Sequence, residues 1–158
     1  MIELIFTVFL FLIILSTAQF SHEFGHLITA KTLRIKKIVL VMGSGPTIFT
    51  IRTVNTRIEI NLLFFLGGYT TSEARVETPY WKQSLIAVGG PMINLLIVFF
   101  ILILLQFAHI PFYISLITPV IAVNLWIGIV NLVPFRWYGK ESDGWSFIKN
   151  SILAMRAA

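Results

Sequence analysis

The stretch AQFSHEFGHLITA, residues 18–30, decides how this chain is read. It closes a long run that starts at Ile2 and is apolar from Leu4 to Leu15 apart from Thr7. Into that run it sets His22, Glu23 and His26, three ionisable groups within five residues. Such groups are costly at membrane depth and point to a task. In a helix His22 and His26, four apart, share one face, so one metal ion could meet both imidazoles. Glu23 lies beside that face and could reach a metal-bound water without ligating the metal. This is the H-E-x-x-H arrangement of zinc hydrolases, in which zinc brings its water toward a pKa of ~7 and the glutamate takes the proton. The bland alternative is a pair of histidines hydrogen-bonded between helices. Gly25 costs the helix up to ~1 kcal/mol relative to alanine and reads as room for water or a substrate backbone.

Composition sets the surroundings. Of 158 residues, 57% are hydrophobic and 12% charged, with a mean hydropathy of +0.88. This excludes a soluble globule and a disordered chain and indicates one integral membrane domain, residues 1–158. With no cysteine, disulfides, thiolate metal sites and a cysteine nucleophile are excluded. The net charge of +5 suggests nucleic acid at first sight, but membrane topology accounts for it better.

Three apolar stretches predict three spans, about 2–30, 84–107 and 112–134, each near or above the ~20 residues a helix needs to cross the hydrocarbon. All 12 Lys and Arg fall in two blocks. One lies between spans one and two: Lys31, Arg34, Lys36, Lys37, Arg52, Arg57, Arg75 and Lys82. The other follows span three: Arg136, Lys140, Lys149 and Arg156. The positive-inside rule then puts both blocks in the cytoplasm, the N-terminus outside and the His22–His26 site toward the cytoplasmic side of a cell membrane. Ser16-Thr17-Ala18 looks like a signal-peptide cleavage site, but Met1-Ile2-Glu3 offers an acid where a signal peptide needs a base. His109 falls on the external side in this topology and reads as an interfacial residue.

Between spans one and two the period changes. RIEINL at 57–62 alternates polar and apolar; KIVLVM at 37–42 and TIFTIR at 47–52 are strand-like, with a turn at Gly43–Pro46. A small membrane-associated β-sheet over about 36–70 is expected. LLFFLGGYTT at 62–71 is too short to span and is expected to dip into the membrane and return, shielded by protein or a water cavity. After span three, Trp145, Ile148, Ile152 and Met155 predict an amphipathic helix over about 144–156.

A hydrolytic zinc takes a third protein ligand and leaves one position open. Asp143 is the sole aspartate of the chain, and Glu141 is its rival. Asn94 in span two fits either helix packing or the site. Asn124 and Asn131 are seven apart on one face of span three; Asn124 has a packing reading. Gly89, Gly90 and Pro91 would kink span two and let backbones approach.

Four motifs then carry a resemblance. HEFGH at 22–26, FLGGY at 65–69, GGPMIN at 89–94, and NLVP at 131–134 followed by SDG at 142–144 resemble, in order, the signatures of the site-2 protease family of intramembrane zinc metalloproteases. The resemblance covers about residues 16–145. It implies a core of three transmembrane helices with a small β element, one Zn²⁺ per chain, ligands His22, His26 and Asp143, and Glu23 as catalytic base. Asn131 and Asn94 would serve the oxyanion or the substrate backbone. The reaction would be hydrolysis of peptide bonds in membrane-spanning or membrane-associated substrates. In the family pattern few residues separate the proline from the aspartate; here eight lie between Pro134 and Asp143. The chain has no room for the PDZ or CBS domain of many relatives.

The expected function is therefore an intramembrane zinc endopeptidase whose partners are a membrane substrate and the lipid bilayer, with no nucleic acid. A metal transporter would spread polar residues along several spans, and here they concentrate toward one side. A non-catalytic binding or immunity protein on this scaffold would have lost a ligand or the glutamate, and all four residues are present.

Overall fold

The computed structural model describes residues 1–72, 78–107 and 114–157. Its elements run α1 (Ile2–Thr32), β1 (Ile38–Arg52), β2 (Thr56–Ser72), α2 (Tyr80–Phe107), α3 (Ile114–Leu132), β3 (Arg136–Trp137), β4 (Lys140–Glu141) and α4 (Asp143–Ala157). The molecule is mostly helical with a small two-stranded sheet between the first two helices. His109 and Arg75, which the sequence assigns to opposite sides of the membrane, lie outside the described residues.

Among the described residues α1 and α2 are long and apolar enough to cross a membrane; the apolar part of α3, Leu116–Leu132, is shorter. At 1.5 Å per residue, α1 is about 46 Å long. Its two halves differ. Ile2, Leu4, Ile5, Phe6, Val8 and Phe9 are each at least half exposed, an apolar surface that suits hydrocarbon rather than water. From Ile14 onward the helix is built into the protein, with Ala18, His22, Glu23, His26, Leu27 and Ala30 buried.

α1 crosses α2 where two glycines meet. A Cβ on Gly25 would stand 2.8 Å from Cγ1 of Ile93 and closer still to the carbonyl of Gly89. A Cβ on Gly89 would press on Gly25 O and Thr29. The space at Gly25, read from sequence as room for water or substrate, is occupied by the backbone of α2. Close contact of two helices without side chains between them is the use small residues have in lipid.

The sheet is more folded than its strand count suggests. β1 bends at Gly43 and Gly45, both at positive φ (77° and 87°). A Cβ at Gly43 would strike the Leu63 backbone. Residues 38–42 and 47–52 are thus parts of one bent strand, where the sequence suggested two strands and a turn. Both parts pair with β2. Ile38–Met42 run parallel to Thr56–Ile60, whereas Phe49–Arg52 oppose Arg57–Ile60. β2 also bends, and Gly68–Ser72 return antiparallel along the other side of Ile38–Met42. The 62–71 segment is therefore extended β-structure, and its last four residues, Gly68–Thr71, belong to an outer strand. Ile38, Leu40 and Met42 join Leu27 and Ala30 in the buried cluster that fixes the sheet to α1. Ile48, Phe49, Ile51, Leu62, Leu63, Phe64 and Leu66 stay exposed at the far end of the sheet.

α4 turns its polar side inward. Oγ of Ser84 on α2 lies 2.6 Å from Oγ of Ser151, and Asn150 is buried. Ile148, Ile152 and Met155 face outward.

Replacing Gly25 by valine should destabilise the fold despite a better helix propensity, by about 1–3 kcal/mol, as overpacking does. Thermal unfolding in detergent checks this: a Tm at or above that of the unaltered protein would show that the α1–α2 contact yields.

Candidate metal centre

α1 supplies two imidazoles one turn apart, and their Nε2 atoms lie 3.2 Å from each other. Asp143, the first residue of α4, brings Oδ2 to 3.0 Å from Nε2 of His22 and 3.4 Å from Nε2 of His26. These three residues form the one group of clustered His and acidic side chains found among the described residues.

The opposite ring nitrogens decide what these contacts mean. His22 Nδ1 is 2.9 Å from Oδ1 of Asn94. The orientation of that amide is fixed, because its Nδ2 donates to the carbonyl of Ala18 (3.0 Å) and to Oδ1 of Asn124 (2.8 Å). Oδ1 can only accept, so the hydrogen of His22 sits on Nδ1. His26 Nδ1 is 2.7 Å from the carbonyl of Ile86, which also only accepts. The Gly90 N–H, 3.3 Å from the same nitrogen, is too distant to compete. Both Nε2 atoms therefore present lone pairs, and they present them to each other and to a carboxylate oxygen. One proton could satisfy at most one of these pairs; a cation at the centre satisfies all three. A tetrahedron with metal bonds of ~2.0–2.1 Å has edges of about 3.3 Å, close to the observed 3.0, 3.2 and 3.4 Å. The donor set fits zinc, and the hydrogen bonds behind each imidazole are of the kind that orient metal-binding histidines.

The chain brings Asp143 back by a short hairpin. β3 and β4 pair Arg136 with Glu141 and Trp137 with Lys140, around a turn with Tyr138 and Gly139 at φ 46° and 78°. The hairpin takes up most of the eight residues that separate Pro134 from Asp143. Ser142 then ties the ends. Its hydroxyl donates to Val133 O (2.7 Å) and accepts from the N–H groups of Phe135 (3.0 Å) and Trp145 (3.1 Å). The last of these makes Ser142 the N-cap of α4. Gly144 lets α4 start against the end of α3, for a Cβ there would collide with the Leu132 backbone. Gly90 does the same service at the imidazoles: a Cβ would come within 2.7 Å of His26 Cε1 and 2.9 Å of His22 Nε2.

Glu23 is 9% exposed, and its Oε2 accepts a hydrogen bond from Thr70 on β2 (2.8 Å). Glu141, the rival ligand, is held elsewhere by Lys149, whose Nζ is 2.9 and 2.8 Å from its two carboxylate oxygens. Asn94 is fully buried behind His22, with its amide turned to the imidazole and α3. Asn131 bonds its own helix at Ile127 O (2.9 Å) and lines the cavity. That cavity, about 830 Å³, is bounded by His22, Glu23, His26 and Asp143, by Gly68–Ser72 of the sheet, and by Gly139–Glu141 of the hairpin. The sequence marks Asn124 for packing alone, Ser142 only as part of SDG, and Thr70 by no pattern. Ser142, directly before an aspartate that opens an amphipathic helix, carries a capping signal that could have found it.

Known proteins share this stretch. The model of Peptidase family M50 matches residues 10–111, which include His22, Glu23, His26 and Asn94. A protein of Thermotoga maritima named "Putative zinc metalloprotease" is 29% identical over 101 residues, 54% of this chain and 20% of that protein. Relatives of the same description from Borreliella burgdorferi and Fusobacterium nucleatum are 26% and 30% identical, over 63% and 57% of this chain. The matched stretch is 27% and 29% of their respective lengths, so this chain spans less than a third of the relatives it matches.

Asp143→Asn should lower zinc affinity at least tenfold, because a neutral amide replaces the charged oxygen facing both imidazoles. Glu141→Gln should leave it within about twofold, since Lys149 already holds that side chain; the basis is the role of ligand charge. Metal titration of purified protein reads both, and the reverse ranking would make Glu141 the ligand.

Proposed function

The chain belongs to Peptidase family M50, and from that premise we propose that it is an intramembrane zinc endopeptidase of the site-2 protease type. The observation that carries the reading is the meeting of His22 Nε2, His26 Nε2 and Asp143 Oδ2 with both imidazole hydrogens turned away from the centre. One zinc ion per chain, held by those three residues, would supply Lewis acidity to a water molecule and to the scissile carbonyl.

The residues of the chain do the rest. Glu23, beside the ligand pair but not part of it, takes the proton of the attacking water and passes it to the leaving amine. Asn131, on the cavity wall, offers its amide to the developing oxyanion. Asn94 acts from behind by keeping His22 in the tautomer that points Nε2 at the centre. A substrate helix hides its carbonyls in i to i+4 bonds, so it must unwind before cleavage. The outer strand at Gly68–Thr71 borders the cavity and suits an unwound segment added as a further strand.

In this reading α3 is the third span and residues 1–158 form one catalytic domain. The two blocks of Lys and Arg put the N-terminus outside and the site toward the cytoplasm of a cell membrane. The substrate is a membrane-spanning or membrane-associated protein, and the lipid bilayer is the surrounding solvent.

Incubation of the purified protein with transmembrane peptides, with and without a chelator, tests this directly. Glu23→Gln should retain one zinc per chain yet lose at least ~10²-fold in cleavage rate, the loss expected for a missing general base. Undiminished cleavage by that variant would assign the base elsewhere. Cleavage that survives complete metal removal would overturn the metallopeptidase reading.

A further inference from the structure

A general base works only if its carboxylate is held where the water will be, and the Glu23 side chain has three rotatable bonds between the helix and its carboxyl group. We propose that Thr70 is the residue that positions Glu23, and that through it the outer strand of the sheet links substrate pairing to the setting of the base. The proposal rests on the hydrolase reading above.

The geometry is a clasp between α1 and the returning part of β2. Thr70 Oγ1 lies 2.8 Å from Glu23 Oε2 and 3.1 Å from the Glu23 carbonyl. A hydroxyl has one hydrogen, and the charged oxygen at the shorter distance is the stronger acceptor. One turn earlier on the same helix face, Gln19 Oε1 accepts the N–H of Gly67 at 3.0 Å. Between these two points Gly68 lies against the stem of Glu23: a Cβ there would be 3.1 Å from Glu23 Cγ and 2.9 Å from Val41 O. Gly67, at φ 90°, makes the bend that presents its N–H to Gln19. The strand from Gly67 to Thr70 thus rests on Glu23 and fixes one of its two carboxylate oxygens, which leaves the other for the water.

The strand that carries Thr70 is also the one that borders the cavity. Its inner side is paired with Ile38–Met42. A substrate segment added on the outer side would immobilise Thr70 between two partners. Without such a segment the strand is held by its pairing with Ile38–Met42 and by its contacts to α1. Thr70 is thus a positioning residue: it acts on the base, and the substrate acts on it.

Two variants separate the hydroxyl from the shape of the side chain. Thr70→Val keeps the volume and removes the hydrogen; Thr70→Ser keeps the hydrogen. Loss of a hydrogen bond to a charged group should lower kcat about 10- to 100-fold in the valine variant, with KM and zinc content unchanged. The serine variant should return to within about threefold. Wild-type kcat in Thr70→Val, or a serine variant as slow as the valine one, would overturn the role. A second readout does not use activity. Thermal unfolding of the metal-free protein should show Thr70→Val lowering Tm more in the natural background than once Glu23 is alanine, where the hydroxyl keeps only the Glu23 backbone carbonyl as acceptor; equal losses in both backgrounds would show that the two side chains are not coupled. An inactive Glu23→Gln beside a fully active Thr70→Val would sink this proposal and leave the hydrolase reading standing. Failure of the unaltered zinc-loaded protein to cut any transmembrane peptide would sink the hydrolase reading, while the unfolding cycle would still decide the Thr70–Glu23 contact.

Discussion

Two imidazole nitrogens and one carboxylate oxygen meet at 3.0–3.4 Å with lone pairs facing inward, and much of the structure can be traced to what that meeting requires. Each imidazole needs an acceptor behind it so that its hydrogen faces away. For His26 this is the Ile86 carbonyl, five residues before Pro91 on α2. For His22 it is Asn94, and Asn94 must itself be oriented. Ala18 on α1 and Asn124 on α3 do that, and Asn124 in turn donates to Val120 O at 2.8 Å. The result is a line of amides from α3 through α2 to α1, buried throughout: Asn94 is 0% and Asn124 3% exposed. In a medium without water a polar group lacking a partner is costly. The same line that sets the tautomer therefore also binds the three helices together.

Close approach is the second requirement, and glycine meets it three times. Gly25 and Gly89 let α1 and α2 touch by backbone. Gly90 makes room for the two imidazoles. Gly144 lets α4 begin against Leu132, which sets the height of Asp143. Each removes a side chain where even one methyl group would push a ligand or its helix out of place. This is why the motifs read from the sequence pair each functional residue with a small neighbour.

What the sequence made legible followed from distance along the chain. His22 and His26 lie one helical turn apart, so the period of the helix alone predicts their common face, with Glu23 beside it. Asp143 stood out as the sole aspartate, with a glycine beside it that turns out to be required by the Leu132 backbone. The β-strands were found by alternation, but their pairing was not. Gly43–Pro46 looks like a hairpin turn, and only contact with Leu63 makes it a bend within one strand. Asn124 could be placed on a face but not against a partner, because the amide it meets is 30 residues away on another helix. Thr70 had no pattern at all: its role depends on β2 folding back across 47 residues of chain to reach Glu23. Roles set by tertiary contact leave no local period to read.

The position of the site along α1 follows from the same physics. The first half of the helix is apolar and exposed, as lipid permits. The second half carries His22, Glu23 and His26 and is the half that the sheet covers. A helix in hydrocarbon can hide its own backbone but cannot solvate a carboxylate or admit water. A strand can supply the missing polar environment, for it presents N–H and C=O groups along its edge, and a sheet closed on one side leaves the other free. Here Ile38–Met42 are paired on both sides by β2, and of the two outer strands, Phe49–Arg52 and Gly68–Thr71, the second lies beside the cavity. A strand edge, a liability in a soluble protein, here also borders the place where an unwound peptide would need partners for its own backbone. The bends at Gly43 and Gly67 are what bring that edge from the far end of the sheet to Glu23, so the glycines of the β segment serve the chemistry of α1 as directly as those of the helices do.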